Sequence, residues 1–247
     1  MGYNLLTGKN AIITGARGIA EGIAARYTQE GANVLVISVS ESGSELIAQG
    51  KARYWVQADL SDRQSLNVGF DEAMKRFDGR LDILVNCAGI QRRHELEEFP
   101  MDDWDKVVET NLTAVWEMSQ LAARVMLKQG RGKIVNLASM NSFFGGQRIP
   151  AYAAAKGGVM QLTRAMSNAW AGRGICINAI APGYIATEMN SALIADEKRN
   201  ASILARIPAG RWGTAEDIGG PAAFLASDLS DYMNGAIIPV DGGYLGM

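Results

Sequence analysis

The residue types best suited to chemistry in this chain lie in one stretch, residues 139–156. Tyr152 and Lys156 are four positions apart, so a helix places both side chains on one face, one turn apart. A fixed positive charge favours the ionised phenol and lowers its pKa. A tyrosine that works as a base near neutral pH needs its pKa lowered from about 10 to roughly 7–8, about 3–4 kcal/mol. The spacing predicts a proton-transfer pair, although an exposed Tyr and Lys on a surface helix is the ordinary alternative for so common a pattern.

Short apolar runs alternate with segments of helical periodicity along the whole chain. The runs predict strands at 10–14, 33–37, 53–57, 81–85, 133–137, 174–180 and 236–240. Helical patterns follow the glycine turn at 15–20 and cover 62–78, 102–129, 151–172, 188–206 and 214–226. Because no linker or shift in composition interrupts this alternation, we expect one α/β domain over residues 1–247. Its predicted architecture is a Rossmann-like, doubly wound parallel sheet with helices on both faces.

Polar residues and glycines follow the predicted strands at their carboxyl ends. Thr14, Asp59, Asn86, Ser139 and Pro182 each close or follow one of these strands. Ligands of open α/β sheets bind at that edge. The first strand also runs directly into a glycine turn and a helical pattern, the context in which main-chain N–H groups bind a pyrophosphate. The sequence therefore predicts a nucleotide site beside residues 139–156.

Composition argues against several other classes of protein. The 247 residues carry a net charge of −2, which gives no electrostatic basis for binding nucleic acid or an anionic membrane. No apolar run reaches bilayer length and no secretion signal is recognisable, so we expect a cytoplasmic protein. Cys87 and Cys176 lack metal-ligand spacing and His94 is the single histidine. We therefore expect free thiols and no metal site.

In this order, the motifs resemble the short-chain dehydrogenase/reductase family, and the similarity covers nearly the whole chain. They are Thr14-Gly15, Asp59, Asn86-x-Ala88-Gly89, Asn111, Ser139, Tyr152-x-x-x-Lys156, Pro182-Gly183 and Asp241-Gly-Gly243. The resemblance implies hydride transfer between a nicotinamide cofactor and an alcohol or ketone carbon. It implies that Tyr152 is the general acid/base, that Lys156 lowers its pKa and binds the nicotinamide ribose, and that Ser139 holds the substrate oxygen. Asn111 would position a water that links Lys156 to solvent.

The resemblance also implies which residues contact the cofactor. They are Gly15, Arg17, Gly18, Ile19, Ser38, Asp59, Leu60, Asn86, Ala88, Gly89, Tyr152, Lys156, Pro182, Gly183, Ile185 and Thr187. NAD enzymes usually carry a carboxylate at the end of the second strand to bind the ribose 2′-OH, but this chain has Ser38-Val-Ser40. Arg17 matches a basic residue of NADP-using relatives. Both features slightly favour NADP(H) over NAD(H), although the subgroup that the chain resembles often uses NAD without that carboxylate.

Two positions depart from the family pattern. Two residues, rather than the family's three, separate Gly15 from Gly18, and Ala20 replaces a third glycine. A methyl at Ala20 can crowd the approach of a pyrophosphate, so we expect cofactor binding to be weakened or rearranged. Cys87 replaces an asparagine and lacks the two amide donors, so we expect some loop stabilisation to be lost.

Arginines after the fourth strand indicate an acidic substrate. Arg92 and Arg93 could bind a carboxylate through paired donors, with Arg148 as a second candidate, although surface ion pairing is the ordinary role of such residues. The surrounding stretches resemble a sugar-acid subgroup that contains gluconate 5-dehydrogenases and 2-deoxy-gluconate 3-dehydrogenases. That resemblance implies a gluconate, deoxy-gluconate or keto-deoxy-gluconate as substrate and a mobile lid over 188–212. Its implied pocket residues are Asn141, Gln147, Arg148 and Tyr184.

Two other functions stay open. A reductase of a carrier-bound 3-oxoacyl chain would need a basic docking patch, which the net charge and the Arg-Arg placement do not favour. A regulator that binds the cofactor without turnover would fit the shortened glycine turn but not the Ser, Tyr and Lys set. The family usually forms tetramers, and residues 102–129, 151–172 and 232–247 are apolar enough to form the interfaces of a homotetramer.

Overall fold

The computed structural model describes residues 3–247 and contains a seven-stranded parallel sheet. The strands lie in the order β3-β2-β1-β4-β5-β6-β7. They span β1 (Asn10–Thr14), β2 (Asn33–Ser38), β3 (Tyr54–Gln57), β4 (Ile83–Asn86), β5 (Gly132–Leu137), β6 (Ile175–Pro182) and β7 (Ile237–Val240). The order changes direction between β1 and β4, which makes their carboxyl ends the switch point where ligands of such sheets bind. The predicted α/β class and parallel Rossmann-like sheet are confirmed.

Local sequence explains where several helices begin. They are α1 (Ile19–Gln29), α2 (Ser42–Ala48), α3 (Arg63–Arg76), α4 (Met101–Val108), α5 (Ala114–Gln129), α6 (Pro150–Trp170), α7 (Ser191–Ala195), α8 (Glu197–Leu204) and α9 (Ala215–Ala226). The Asp62 carboxylate accepts the Ser65 N–H at 2.6 Å and caps α3. Thr214 and Asp217 form a capping box on α9. Pro150 occupies the first turn of α6, where its missing N–H leaves no hydrogen bond unmade.

Alternate residues of the central strands face two hydrophobic layers. Ile13 belongs to the layer formed with α1 and α9, and Ile12 to the layer formed with α3, α5 and α6. Both isoleucines are fully buried. Helices cover both faces, which explains why the strands are almost continuously apolar. Within residues 3–247, no helix is long and apolar enough to cross a membrane.

Three helical segments differ from the predictions, and the other element boundaries agree within about two residues. The predicted helix at 102–129 consists of α4 and α5, joined by a π turn at Glu109–Thr113. The predicted helix at 188–206 is divided into a 3₁₀ turn at Glu188–Asn190, α7 and α8, because Asp196 is extended and caps α8. No pattern in the sequence predicts α2, which is short and rich in serine and glycine.

Candidate active site

A cleft of about 730 Å³ lies along the carboxyl edge of the sheet. It is bounded by the loops that follow β1 to β6. The predicted site residues that line it are Gly15, Arg17, Gly18, Ile19, Ser38, Asp59, Leu60, Ala88, Gly89, Arg92, Ser139, Tyr152, Lys156, Pro182, Gly183, Ile185 and Thr187. Asn86 and Asn111 are buried and do not line it. Among the predicted substrate residues, Arg93, Asn141, Gln147, Arg148 and Tyr184 also lie outside its lining.

The loop between β5 and α6 ties Ser139 to the helix turn that carries Lys156. The Ser139 hydroxyl accepts the Asn141 N–H at 3.1 Å and caps a short 3₁₀ turn. Ser142 accepts the Ser139 N–H at 3.3 Å and donates its hydroxyl to the main-chain oxygen of Lys156 at 2.6 Å. These contacts hold the Ser139 hydroxyl beside α6, close to the phenol of Tyr152.

Lys156 is almost completely buried, with 4% of its surface exposed. Its Nζ donates to the main-chain oxygen of Leu137 at 2.5 Å, at the end of β5. The same Nζ lies 5.8 Å from the centre of the Tyr152 ring. Burial lowers the pKa of Lys156 from its usual 10.5 to about 8. The lysine is therefore held as a fixed cation at neutral pH, within reach of the phenol.

In the protein without a bound cofactor, the pKa of the Tyr152 phenol is raised. Burial is the largest influence and raises its pKa above the usual 10.0, while a hydrogen bond with Ser139 and the charge of Arg93 lower it. Without a cofactor, desolvation of the phenolate outweighs the hydrogen bond with Ser139 and the charge of Arg93. The lowering of this pKa by Lys156 together with a bound, positively charged nicotinamide stays a prediction. At neutral pH the phenol is protonated and is poised as an acid.

Asn111 lies in the π turn and is completely buried. Its Nδ2 donates to the Ile90 oxygen and its Oδ1 accepts the Ile90 N–H, both at 2.8 Å. The side-chain amide thereby makes the two main-chain hydrogen bonds with Ile90, after Gly89, that a neighbouring strand would otherwise make. The structure shows this side chain holding the cleft wall, and its role in positioning a water stays a prediction.

Asn86 belongs to a buried polar network beneath the cleft. Its Nδ2 donates to Ser119 Oγ and Asn136 Oδ1, both at 2.9 Å, and Asn136 donates in turn to Thr163 Oγ1 at 2.9 Å. The network links β4 and β5 to α5 and α6, so it fixes the strands that carry the site. Asn86 is therefore a structural neighbour of the cleft, and direct contact between its side chain and a cofactor is not supported by this geometry.

Thr14 holds the turn in which Cys87 replaces the family's asparagine. Its hydroxyl oxygen accepts the N–H groups of both Cys87 and Ala88 at 3.0 Å. These main-chain bonds stabilise the turn without an amide at position 87. Burial raises the pKa of the Cys87 thiol to about 12, so this thiol is un-ionised at neutral pH.

The shortened glycine turn forms a compact cradle at the start of α1. Gly15 has φ 87° and Gly18 has φ 56°, conformations that favour glycine, and the Gly15 N–H donates to the Ile37 oxygen at 2.8 Å. Ala20 is 2% exposed and packs in the hydrophobic core, but it also lines the cleft beside Gly15, so the expected crowding by its methyl stays a prediction. A Cβ on Gly18 would lie 3.0 Å from the Thr187 methyl. The two glycines and the N–H groups at the start of α1, a helix of 11 residues, therefore fit an anionic diphosphate.

The loops after β2 and β3 form the other end of the cleft. Ser38 Oγ accepts the indole N–H of Trp55 and donates to the Ser40 oxygen, both at 2.9 Å, and no carboxylate closes β2. Asp59 accepts both the hydroxyl and the N–H of Ser61, which hold the pKa of its carboxyl below the usual value. This end can accept a nucleoside whose ribose carries either a hydroxyl or a phosphate.

Of the two adjacent arginines, Arg92 has an ion-pair partner in the described structure, and the expected paired clamp stays a prediction. Arg92 Nε bonds Asp103 Oδ1 at 3.2 Å, and His94 Nε2 lies 2.6 Å from the other oxygen of Asp103. Asp103 on α4 thus occupies Arg92. Arg148 is likewise ion-paired, with Glu95 at 3.0 Å.

Arg93 is exposed and has no carboxylate within 4.0 Å among residues 3–247. Partial burial, and then the charge of Arg199, lower the pKa of its guanidinium, and the phenols of Tyr184 and Tyr152 oppose this shift. Tyr184 is half-buried and packs edge-on against Trp212, with the ring centres 5.3 Å apart. Arg93 is therefore an unpaired cation near the proposed proton-transfer residue.

The other predicted pocket residues contribute less to the site. Gln147 is exposed, and Asn141 contacts the site through its main-chain N–H. The two ends of the predicted lid, residues 188–212, lie close together. Next to them, Gly213 N–H donates to the Tyr184 oxygen at 2.9 Å and Ala186 N–H donates to the Gly213 oxygen at 2.8 Å. The movement of the lid stays a prediction.

Similarity to known proteins extends over almost the entire chain. Residues 13–245 match a family model described as enoyl-(acyl carrier protein) reductase. The 2-dehydro-3-deoxy-D-gluconate 5-dehydrogenase of Bacillus subtilis is 48% identical over 246 residues, 97% of this chain and 96% of that protein. The chain belongs to the short-chain dehydrogenase/reductase family. As predicted, it is an NAD(P)-dependent oxidoreductase.

Solved structures of this family superpose closely on the chain. One from Beutenbergia cavernae, assigned as an NAD(P)-dependent gluconate 5-dehydrogenase and containing NADP at low occupancy, has a TM-score of 0.93 and 44% identity, covering 100% of both chains. A gluconate 5-dehydrogenase from Burkholderia cenocepacia in complex with NADP and tartrate has a TM-score of 0.92 and 38% identity, covering 99% of this chain and 98% of that one. A nicotinamide cofactor is therefore supported for the family fold described here.

Several residues that line the cleft of this short-chain dehydrogenase/reductase carry no motif that marks them. They are Ser40, Ser42, Ser61, Lys106, Thr110 and Glu188. The serines follow strand ends by a few residues, which is the one signal that indicates them. Lys106 and Thr110 are four residues apart at the junction of α4 and the π turn, and neither would be chosen from spacing alone. Among residues 3–247, no group of three or more His, Cys, Asp or Glu side chains could hold a metal ion.

Proposed function

We propose that this chain interconverts a secondary alcohol and a ketone of a sugar acid of the gluconate, deoxy-gluconate or keto-deoxy-gluconate type. The single observation that carries the proposal is the unpaired Arg93, whose charge acts on the Tyr152 phenol. A guanidinium that has no counter-ion among residues 3–247 and whose charge acts on the proposed acid/base is suited to the carboxylate of a substrate. Relatives at 43–48% identity that are named for gluconate and 2-dehydro-3-deoxy-D-gluconate support the same substrate class.

In this proposal Tyr152 exchanges a proton with the substrate oxygen, and the Ser139 hydroxyl donates to that oxygen. Lys156 contributes a fixed positive charge, anchored through Leu137, and binds the nicotinamide ribose. A bound nicotinamide supplies the hydride acceptor or donor. The protein's contribution is to orient the carbon and to hold donors where negative charge develops on the oxygen.

Cofactor binding is assigned to three parts of the cleft. The turn from Gly15 to Ile19 would hold the diphosphate, Ser38, Asp59 and Leu60 the adenosine, and residues 88–89 and 182–187 the nicotinamide side. We favour NADP(H) over NAD(H), because no carboxylate closes β2 and Arg17 lines the cleft nearby.

We also infer a homotetramer built on α4 to α6 and the C-terminal segment. Trp116 on α5 is 40% exposed and stacks on Trp170 of α6, with the ring centres 6.4 Å apart. An exposed aromatic pair on two adjacent long helices is suited to contact with a second copy.

The test is a panel of sugar acids, their keto forms and matched neutral sugars, assayed with both cofactors. We expect turnover with acids, and Tyr152→Phe should abolish turnover while leaving the Kd of the cofactor within a few-fold. Arg93→Gln should raise KM for acids by about tenfold and leave neutral sugars nearly unchanged, because a charge-assisted hydrogen bond is lost.

Arg92→Gln is the matched control, because its charge is already held by Asp103. Equal effects of the two arginine substitutions, or equal effects of Arg93→Gln on acids and neutral sugars, would reject Arg93 as the carboxylate site. Retained turnover in Tyr152→Phe would reject its acid/base role.

A further inference from the structure

An ion pair joins the glycine turn to the first residue of the predicted lid. Arg17 Nη1 lies 3.3 Å from Glu188 Oε2, and both residues line the cleft. The two loops also touch through Gly18 and Thr187, where an added Cβ would come within 3.0 Å. The ion pair therefore crosses the mouth of the cleft between the proposed diphosphate cradle and residues 188–212.

Different hydrogen bonds hold the segments that carry Glu188 and Arg17. Glu188 opens a 3₁₀ turn that is anchored by the bond from Asn190 Nδ2 to the Ile185 oxygen at 2.9 Å. Arg17 sits on a turn tied to the end of β2 by the bond from Gly15 to Ile37. Both side chains are mostly exposed, 61% for Arg17 and 77% for Glu188, so the pair is weak and exchangeable.

The position of Arg17 gives it a second possible partner. Its turn adjoins Ser38 and Ser40, where no carboxylate would repel an anion. The ribose end of a dinucleotide carries at that point either a 2′-hydroxyl or a 2′-phosphate. A phosphate with a charge of about −1.5 to −2 and three acceptor oxygens binds a guanidinium more strongly than one carboxylate does.

We propose that Glu188 is a cofactor-selectivity residue, which occupies Arg17 in the free enzyme and yields it to the 2′-phosphate of NADP(H). The inference rests on the proposed preference for NADP(H). Glu188 then lowers the affinity for the phosphorylated cofactor by the strength of an exposed ion pair and leaves the unphosphorylated one unaffected. Glu188 therefore sets the size of the difference in affinity between NADP(H) and NAD(H), and Arg17 sets which of the two binds more tightly.

The test uses adenosine 2′,5′-bisphosphate and adenosine 5′-monophosphate, which differ in the 2′-phosphate and lack the nicotinamide. Dissociation constants are measured by calorimetry at about pH 8, where the phosphate is a dianion. Glu188→Gln should strengthen binding of the bisphosphate about two- to five-fold and change binding of the monophosphate less than about 1.5-fold. Glu197→Gln, which removes another exposed lid carboxylate that has no ion pair in residues 3–247, should change neither.

Arg17→Gln should weaken binding of the bisphosphate about tenfold, because an arginine–phosphate contact is lost. In that background Glu188→Gln should have no further effect. The proposal is overturned if Glu188→Gln strengthens both nucleotides equally, changes neither, or still acts without Arg17. It is also overturned if the unaltered protein binds the two nucleotides equally, since Arg17 then meets no 2′-phosphate. These binding measurements involve no sugar acid, so their failure is distinct from failure of the proposed activity.

Discussion

Replacing Lys156 with methionine should abolish the assigned cofactor contact and also remove a buried charge from the folded protein. Burial lowers the pKa of this lysine from 10.5 to about 8. One pKa unit corresponds to about 1.4 kcal/mol, so the buried ammonium costs the folded state about 3 kcal/mol below pH 8. The lysine is nearly fully buried, so solvent screening does not reduce this cost much.

The pH dependence follows from the order of the two pKa values. Because the folded-state pKa lies below the unfolded-state value, the unfolded chain binds more protons at this lysine between pH 8 and 10.5. The free energy of unfolding therefore rises with pH in this window. The full cost is present below pH 8 and has disappeared above pH 10.5.

The substitution also has a cost, because the Leu137 oxygen loses the donor that lies 2.5 Å away. An unpaired buried carbonyl costs about 1–3 kcal/mol at every pH. At pH 7 the Lys156→Met variant should therefore be about as stable as the unaltered protein or up to about 2 kcal/mol more stable. At pH 10 that difference should have shifted by roughly 2–3 kcal/mol in favour of the unaltered protein.

The assay is urea unfolding at pH 7, 8, 9 and 10, at one protein concentration and ionic strength. The difference between the two proteins is the quantity of interest, since titration of Tyr152, Cys87 and the surface groups is largely common to both. Lys75→Met on α3 is the control, because 74% of that side chain is exposed and no charge is buried. It should show a difference within about 0.5 kcal/mol and no trend with pH. A pH-independent difference for Lys156→Met, or one of the opposite sign, would refute the buried charge.

Two further predictions concern the scaffold and the assembly. Asn111→Leu leaves the N–H and C=O of Ile90 unpaired. It should lower the free energy of unfolding, measured with urea, by about 2–4 kcal/mol. Unchanged stability would show that the two hydrogen bonds to Ile90 do not stabilise the fold. Light scattering should give a mass four times that of one chain. Trp116→Arg should lower this mass, because it disrupts the stacked pair with Trp170. A monomeric unaltered protein would reject the tetramer.

The backbone frame of the site could be predicted because it depends on local patterns. Strand ends and the i, i+4 spacing of Tyr152 and Lys156 are local properties, and they brought these side chains to one edge of the sheet as expected. Side-chain partners depend on residues far apart in sequence. Arg92 is taken by Asp103, eleven positions away and on another element, and no spacing rule distinguishes it from Arg93.

Burial was the other property that the sequence could not supply. Ala20 packs into the core below the glycine turn and is 2% exposed, although it also lines the cleft. Without a cofactor, desolvation raises the pKa of Tyr152, although a lysine lies one turn away as predicted. Both properties depend on how much solvent reaches a side chain, which is set by the packing of several elements at once.

In the proposed function, the charge at Arg93 would connect substrate recognition to the protonation state of Tyr152. Its guanidinium lowers the pKa of Tyr152, in opposition to burial. A carboxylate bound at Arg93 would partly cancel that positive charge, and the phenol would then hold its proton more strongly. Binding of an acidic ketone at this position would therefore strengthen Tyr152 in its protonated, donating form. With Tyr152 in the proposed role, oxidation of the corresponding alcohol needs the phenolate and should gain more from a rise in pH than reduction does.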